Sequence, residues 1–346
     1  MKRLKIIGGV IIAAGLTLLL ISIPLGVFDA DTWRAAAGRA AEKAGYYAEP
    51  VLITETLSAD TADFDLRLEA RFEIKADAET EDITLKYYEV RENQYEFSND
   101  GGKLVLKEKS RIFNFYTWNN WYEGLLKYSD YVGVITVPSG FKLDSLSLST
   151  LAGTVDITGI NVRSFDLKCS AGAVNVVGGA IDELDVRLSS GEVTFSDTVT
   201  VGTAKVLEVS SGDLSLNGVV GTIDEIKVSS GDAYIKRISG TGSAALNIKV
   251  SSGNLTLDAV EYGAVNINLS SGDVKLNNAA VKKITLNVSS GDLDIDTVYV
   301  AGQVSLAVKK SSGTVKFFGE RKTENTVAAP ECAITGNVSS GTVVIL

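Results

Sequence analysis

A tripeptide of two small residues and a glycine, most often Ser-Ser-Gly, recurs from residue 153 onward and constrains the fold more than any other feature. Its glycines are Gly153, Gly172, Gly191, Gly212, Gly231, Gly253, Gly272, Gly291, Gly313 and Gly341. The successive spacings are 19, 19, 21, 19, 22, 19, 19, 22 and 28 residues. Self-similarity at a nearly fixed period is the signature of a solenoid, in which each repeat packs on its neighbours.

Apolar and polar residues alternate on both sides of each tripeptide. Around the turn at 229–231, for example, Ile226 and Val228 come before it, and Ala233 and Ile235 follow. This period of two is typical of strands with one buried face. The sequence therefore predicts an all-β fold, a parallel β-solenoid of about ten rungs of 19–22 residues, spaced about 4.8 Å apart. Because parallel β connections are nearly always right-handed, we expect a right-handed β-helix.

The turn residues suggest how the corner is made. Glycine is expected to supply a positive φ or a tight corner, and the two serines are small enough to let stacked turns approach closely.

Charge and the absence of histidine exclude several functions. The chain has 346 residues and a net charge of −10, and residues 29–346 alone carry −13. Such an acidic surface argues against a nucleic-acid partner, which needs a basic face. Without histidine there can be no Ser-His-Asp or Cys-His catalysis and no metal site that contains histidine.

The two cysteines, Cys169 and Cys332, are about eight rungs apart in chain order. At the spacing of neighbouring strands this separates them by about 38 Å, far beyond the reach of a disulfide. We predict two unpaired thiols that act as small packed residues.

An apolar stretch at the N-terminus predicts a membrane anchor. Residues 6–28 carry no charge and are long enough to span a bilayer as a helix, and Lys2, Arg3 and Lys5 precede them. The positive-inside rule then places the N-terminus in the cytoplasm and the rest of the chain outside the cell membrane. Peptidase cleavage near the alanines at 35–37 is an alternative, but the long apolar core favours an uncleaved single-pass anchor. No cysteine follows the span directly, which excludes a lipoprotein anchor.

Four segments follow from these patterns. Residues 1–28 hold the cytoplasmic tip and the transmembrane helix, and residues 29–50 a juxtamembrane linker or short helix. Residues 51–133 are an irregular β-rich cap module, or irregular first rungs, and residues 134–346 are the regular array. Covering the open end of a solenoid protects strand edges that would otherwise invite aggregation.

An aromatic-rich segment precedes the array and contains the candidate ligand-binding residues. Trp118, Trp121 and Tyr122 flank the amides of Asn119 and Asn120. Rings that stack on sugar faces beside amides that bond hydroxyl groups are typical of carbohydrate sites. The simpler interpretation, which we favour, is that the rings pack over the N-terminal end of the solenoid.

A strand that ends in proline, Ile135-Thr136-Val137-Pro138-Ser139-Gly140, comes before many Ser-Ser-Gly-Asp rungs. Together with the basic N-terminus and single span, this order resembles the bacterial "putative adhesin" family, a domain of unknown function in envelope proteins. The resemblance covers roughly residues 70–346. It implies a solenoid fold in the cell envelope, allows an envelope-stress context, and supplies no catalytic residues.

The residue after each turn glycine defines a row that is rich in acids. Asp213, Asp232, Asp273 and Asp292 belong to it and could form a calcium ladder. Calcium needs six to eight oxygen ligands, however, and the Gly-Gly-x-Gly-x-Asp repeat of calcium-binding β-rolls is absent. We favour side chains that bond their own turn backbone. We therefore predict no metal site and no cofactor.

Paired carboxylates also serve polysaccharide-cleaving β-helix enzymes. Here the acids repeat on every rung instead of gathering at one place, so the sequence favours a protein that is not an enzyme. The predicted function is a membrane-anchored, extracellular, non-catalytic binding or scaffold protein of the adhesin or envelope-stress class, whose partner is an envelope glycan or protein. A polysaccharide hydrolase or lyase is the alternative. Self-association through the solenoid ends, its faces or an exposed last strand is a further expectation.

Overall fold

In a computed structural model of the chain, the structure describes residues 45–58, 60–109, 130–240 and 245–346, and the isolated positions 35, 38, 39 and 42. The chain is divided into two compact units. The first consists of Met1–Ile53, Tyr88–Gln94 and Lys109–Tyr131, and the second of Thr54–Tyr87, Tyr95–Glu108 and Val132–Leu346. Within the described ranges no helix is long and apolar enough to cross a membrane, and the predicted span at 6–28 lies outside them.

Most of the regular secondary structure in the described residues is β-strand. The N-terminal strands are β1 (Tyr46–Leu57), β2 (Asp63–Leu68), β3 (Phe72–Asp77), β4 (Ile83–Arg91), β5 (Tyr95–Asp100), β6 (Lys103–Glu108) and β7 (Gly133–Pro138). Strand β1 thus begins inside the segment at 29–50 for which the sequence suggested a linker or helix.

The strands of the repeats follow. They are β8 (Lys142–Thr150), β9 (Thr154–Thr158), β10 (Asn161–Cys169), β11 (Ala173–Val177), β12 (Ala180–Leu188), β13 (Glu192–Phe195), β14 (Thr200–Val209), β15 (Asp213–Leu216), β16 (Val219–Val228), β17 (Asp232–Gly240), β18 (Leu246–Val250), β19 (Asn254–Leu269), β20 (Asp273–Val288) and β21 (Asp292–Thr297). After the short 3-10 helix Ala301–Gln303 come β22 (Val304–Lys310), β23 (Thr314–Phe317), β24 (Glu320–Arg321), β25 (Glu324–Asn325), β26 (Cys332–Val338) and β27 (Thr342–Ile345).

The second unit stacks these strands in parallel and in register, as the solenoid prediction requires. We call the row of strands before the turns the first face; its order is β6, β2, β8, β10, β12, β14, β16, β18, β19, β20, β26 and β22. The row after the turns is the second face; its order is β7, β3, β9, β11, β13, β15, β17, β19, β20, β21, β27 and β23. The fold is all-β and solenoid-like.

At both ends of the array the spatial order of the rungs departs from chain order. The rung of β2 and β3 lies between the rung of β6 and β7 and that of β8 and β9. Likewise, β26 and β27 lie inside the rung of β22 and β23. The prediction that the last strand is exposed is therefore wrong, because β27 has a hydrogen-bonded strand on each side.

Short antiparallel strands cover both outermost rungs. Strands β5 and β4 pair with β6 and β7 at the N-terminal end. Strands β25 and β24 pair with β22 and β23 at the C-terminal end. These strands pair with part of the backbone N–H and C=O groups along the open edges of the array. Covering an edge in this way is how β proteins limit edge-to-edge aggregation.

The predicted alternation places one set of side chains in a continuous core. Strand β10, for example, alternates buried and more exposed positions from Phe165 through Leu167 to Cys169. Successive rungs repeat this alternation, so that buried residues at equivalent positions form columns along the array. One buried column of the second face is Val155, Val174, Val193, Leu214, Ala233, Leu255, Val274, Leu293, Val343 and Val315. Burial of these ladders drives the stacking, since each rung alone would leave its apolar edge in water.

The turn glycines are needed for close approach and not for a left-handed backbone. None of the Ser-Ser-Gly glycines has a positive φ. A Cβ added to Gly253 would overlap the carbonyl oxygen of Gly231 on the neighbouring rung. On several rungs a left-handed residue lies instead at the next corner, six residues further on. These residues are Gly159, Gly178, Arg237, Ala259 and Asn278, with φ of 69°, 67°, 58°, 54° and 51°.

A buried carboxylate ends the column of turns. In the array, backbone N–H groups of each turn donate to the preceding rung, as Ser230 does to the carbonyl of Ser210 at 2.7 Å. At the turn between β2 and β3, Oε2 of Glu108 accepts the N–H groups of Glu69 and Ala70, both at 2.9 Å. Glu108 is 2% exposed. An anion therefore lies at the donor end of the column, where aligned peptide dipoles favour negative charge.

Candidate functional site

The five aromatic and amide candidates of the sequence, Trp118, Asn119, Asn120, Trp121 and Tyr122, lie outside the described residues. Neither the carbohydrate interpretation nor the packing interpretation is tested, so both stay predictions.

The acidic row lies on the second face with one residue per rung. In spatial order the row is Thr154, Ala173, Glu192, Asp213, Asp232, Asn254, Asp273, Asp292, Thr342 and Thr314. The four candidate aspartates thus stand in two neighbouring pairs with Asn254 between them. Nδ2 of Asn254 donates to Oδ1 of Asp232 at 2.8 Å, so this amide bonds across rungs and not to its own turn.

The acids of this row are exposed and do not converge on a cleft. Glu192, Asp213 and Asp232 point to solvent. A groove of about 420 Å³ runs beside Gly191 and Glu192, but it is wide open. Among the residues that the structure describes, no group of three or more Cys, Asp and Glu side chains is close enough to hold a metal ion. General acid catalysis by carboxyl groups needs one of them shielded from water, which these positions do not provide.

On the first face, acids are paired with lysines and arginines of neighbouring positions. Glu225 contacts Nζ of Lys227 at 2.7 Å and Nζ of Lys249 at 2.8 Å. The hydrogen bond from Lys227, followed by that from Lys249, lowers the pKa of Glu225. Arg187 reaches Asp166 in the same way at 3.2 Å. These carboxylates are neutralised by the sheet itself, and exposed pairs of this kind contribute little to stability.

The C-terminal part of the first face carries an amide row. Asn287 donates to Oδ1 of Asn268 at 3.2 Å, and Asn337 donates to Oδ1 of Asn287 at 3.0 Å. In the neighbouring column, Asn266 donates to Oδ1 of Asn247 at 3.0 Å. An amide has two N–H donors and two acceptor positions, so each side chain in the row keeps bonding capacity toward solvent.

The amide row was not predicted, although the sequence contains a signal for it. Asn-x-Ser-Ser-Gly occurs three times, beginning at Asn268, Asn287 and Asn337. The third occurrence is 50 residues after the second, and only the out-of-order stacking of β26 beside β20 makes the two amides neighbours.

Both cysteines are unpaired and buried, as predicted. Seven rung steps separate the rungs of Cys169 and Cys332, or about 34 Å, one step fewer than in chain order because β26 lies inside β22. Burial raises the pKa of Cys332 to about 11. Burial also raises the pKa of Cys169, outweighing the effect of hydrogen bonds with the backbone at Gly172 and Glu192.

These thiols are therefore expected to be inert in the folded protein. A maleimide at pH 7 to 8 should label neither Cys169 nor Cys332, because each is buried and the reactive thiolate is disfavoured. After denaturation without reductant, two labels per chain are expected by mass spectrometry. One label or none in the denatured protein would contradict the unpaired state, and rapid labelling of the folded protein would contradict the burial.

The chain matches a known protein family over most of its length. A model of the Toastrack DUF4097 family matches residues 63–245 and again residues 233–342. The chain belongs to the Toastrack DUF4097 family. The matched residues start at the first residue of β2 and reach β27, so the family match covers the parallel array, including the rung of β2 and β3. The sequence had already shown a resemblance to an adhesin-like domain of unknown function.

Solved structures with low identity also align with this Toastrack chain. A "putative adhesin" from Bacteroides fragilis NCTC 9343 is 14% identical, covering 86% of this chain and 97% of that chain, with a TM-score of 0.33. A "putative lipid binding protein" from Parabacteroides distasonis ATCC 8503 is 15% identical (87% and 98% covered, TM-score 0.40). A "putative cell adhesion protein" from Clostridium sporogenes ATCC 15579 is 12% identical (86% and 99% covered, TM-score 0.26). No curated protein matches the chain. Likeness at this level does not establish a shared activity.

Proposed function

We propose that this Toastrack protein is a non-catalytic binding scaffold of the bacterial cell envelope, in the adhesin or envelope-stress class. In this proposal residues 6–28 anchor the chain in the cell membrane as a single span, with the N-terminus in the cytoplasm and the array outside. Lys2, Arg3 and Lys5, which directly precede the apolar stretch, support this orientation. A right-handed winding of the array remains part of the proposal.

The observation that carries the binding function is the amide row of Asn268, Asn287 and Asn337. Its side chains are held in register by hydrogen bonds at 3.0–3.2 Å, and all three are exposed. A ligand that meets them finds hydrogen-bonding groups that are already ordered, which reduces the entropy lost on binding. The row is neutral, so it suits a ligand rich in hydroxyl and amide groups. We propose an envelope glycan.

The alternative, a polysaccharide hydrolase or lyase, has no specific support. The exposed carboxylates of the second face repeat along the array, and several of those on the first face, such as Asp166 and Glu225, are paired with basic side chains. Glycoside hydrolysis requires two neighbouring carboxyl groups in different environments, one that donates a proton and one that acts as base or nucleophile. Neither face of the described array brings such a pair together.

Retention of the full-length chain on purified peptidoglycan tests the proposal. We expect the native protein to bind in non-ionic detergent, with or without Ca²⁺. The triple variant Asn268→Thr, Asn287→Thr, Asn337→Thr should bind at least about tenfold more weakly, since several hydrogen bonds are lost together. Threonine keeps the strand preference and removes the amide.

Asn254→Thr is the matched control, because it changes an exposed asparagine on the second face. It should bind like the native protein. Equal binding by the triple variant, or no binding by the native protein, would refute the amide row as the site. Release of soluble sugar fragments from the peptidoglycan would instead support the enzyme.

A further inference from the structure

The outermost rung at the C-terminal end is basic, whereas the chain as a whole carries −10. Residues 304–331, which form this rung and the short strands that cover it, contain five basic side chains and three acids (Glu320, Glu324 and Glu331), a net charge of +2. The basic residues are Lys309, Lys310, Lys316, Arg321 and Lys322. We call these residues the basic end.

Most of the basic end is not neutralised. Only Lys322 has a carboxylate within 4 Å in the described part of the chain, that of Glu320 at 3.4 Å. Lys316 on β23 lies directly opposite Arg321 on β24. Like charges opposite each other on paired strands destabilise a sheet. Folding alone therefore does not account for this pair.

Lys310 has a structural explanation that Lys316 and Arg321 lack. It pairs with Val338, and Val338 pairs with Val288, so Lys310 ends a column that is apolar further inside the array. A polar residue at that position keeps the end of a repeat array soluble. Lys316 belongs to the outward row of the second face, where no apolar column needs a cap, and Arg321 lies opposite it on β24.

Apolar side chains are exposed on the two rungs next to this end. Val298, Val300 and Leu346 are 56%, 64% and 55% exposed, the highest values among the large apolar residues that the structure describes. The N–H of Thr297 donates to the carbonyl of Leu346 at 3.0 Å, which places Val298 beside Leu346. Strand β27, which precedes Leu346, pairs with β23 of the outermost rung.

From this combination we propose that the basic end binds the headgroup region of an anionic phospholipid bilayer. Basic side chains attract the phosphate groups, and the valines and leucine enter the boundary with the acyl chains. Because this rung is the last of the stack, a planar surface reaches it without meeting the acidic row, whose last acid, Asp292, lies two rungs further in. This inference does not use the amide row and stands apart from the proposed glycan site.

A fluorophore at the basic end reports this contact in the full-length chain, whatever its N-terminal segment does. Gly302 lies just before β22, and a side chain added there meets no atom within 4 Å. We would label Gly302→Cys with an environment-sensitive dye, relying on the burial of Cys169 and Cys332. Vesicles with equal parts phosphatidylcholine and phosphatidylglycerol should shift the emission to the blue, and phosphatidylcholine vesicles should not.

Neutralising the pair Lys316→Gln and Arg321→Gln should weaken the response to mixed vesicles by about thirtyfold, since each basic residue near an anionic membrane contributes about a factor of five. The variant should be at least as stable as the native protein in thermal unfolding, because it removes a like-charge pair. Lys236→Gln with Lys275→Gln changes the net charge equally on inner rungs and should leave the response unchanged.

A second label tests whether the contact is specific to this end. Gly263→Cys, where an added side chain also meets no atom within 4 Å, lies mid-array and should report no shift. An equal response to both lipid compositions would overturn the proposal, as would an unchanged response in the neutralised pair. So would a response to soluble polyphosphate alone, or a lipid-free dimer in sedimentation that the same variant abolishes.

Discussion

Gly253→Ala is expected to lower the free energy of unfolding by about 3 kcal/mol, at the upper end of typical overpacking costs. The added methyl group would overlap the carbonyl oxygen of Gly231 and lie 2.6 Å from Cγ1 of Val228. That carbonyl accepts the N–H of Asn254 at 3.1 Å. Relieving the overlap must separate two neighbouring turns, so both the hydrogen bond and the packing of Val228 suffer. Urea unfolding of the full-length chain measures the effect.

Gly263→Ala is the control for this substitution. It lies in β19, the strand that begins directly after Gly253, and a Cβ there meets nothing within 4 Å. Its effect should be neutral or slightly stabilising, because alanine loses less backbone entropy on folding than glycine. If both variants lost the same stability, a general requirement for glycine flexibility would explain the repeat, and close approach of the turns would not.

The fold class was predictable because its signal is local. Alternation of apolar and polar residues, such as that from Ile226 to Val228, indicates which side chains face inward. It does so without any knowledge of which rung lies next to the strand. The spacing of the turns reports the length of one rung. Both features survive in the structure as buried columns and in-register parallel pairs.

The order of the rungs was not predictable, because one rung resembles another. Strand β22 and strand β20 present similar apolar edges, so nothing in the sequence tells β26 to lie between them. The left-handed corner was also hard to predict, since it is occupied by Gly159, Gly178 and Asn278 on some rungs but by Arg237 and Ala259, which rarely adopt a positive φ, on others. A positive φ was expected at the Ser-Ser-Gly turns instead, but the glycines there permit close packing of neighbouring turns.

Register explains why the candidate surfaces were only partly foreseen. The acidic row follows the turn glycine at a constant offset, so the sequence alone aligned it. The link between Asn287 and Asn337 and the exposure of Lys316 opposite Arg321 depend on strands that pair out of chain order or in short antiparallel pieces. Such neighbours have no fixed spacing in the sequence.

Tyr262→Phe is expected to lower the free energy of unfolding by about 2 to 4 kcal/mol, through the loss of one hydroxyl group. Ile223 pairs with Ala204 on one side, but β18 begins too late to pair with it on the other. The hydroxyl of Tyr262 fills that place: it accepts the N–H of Ile223 at 2.7 Å and donates to its carbonyl at 2.8 Å.

The tyrosine is 1% exposed, and burial raises the pKa of its hydroxyl, which keeps the proton needed for donation. Phenylalanine would keep the ring against Gly240 but leave two buried backbone groups of Ile223 without a partner, and each such group costs about 1–3 kcal/mol. Tyr234→Phe, on the outward row of the second face, is the matched control and should change stability by less than about 0.5 kcal/mol. Equal urea midpoints for native protein and Tyr262→Phe would mean that water satisfies Ile223, and that the hydroxyl does not hold these rungs together.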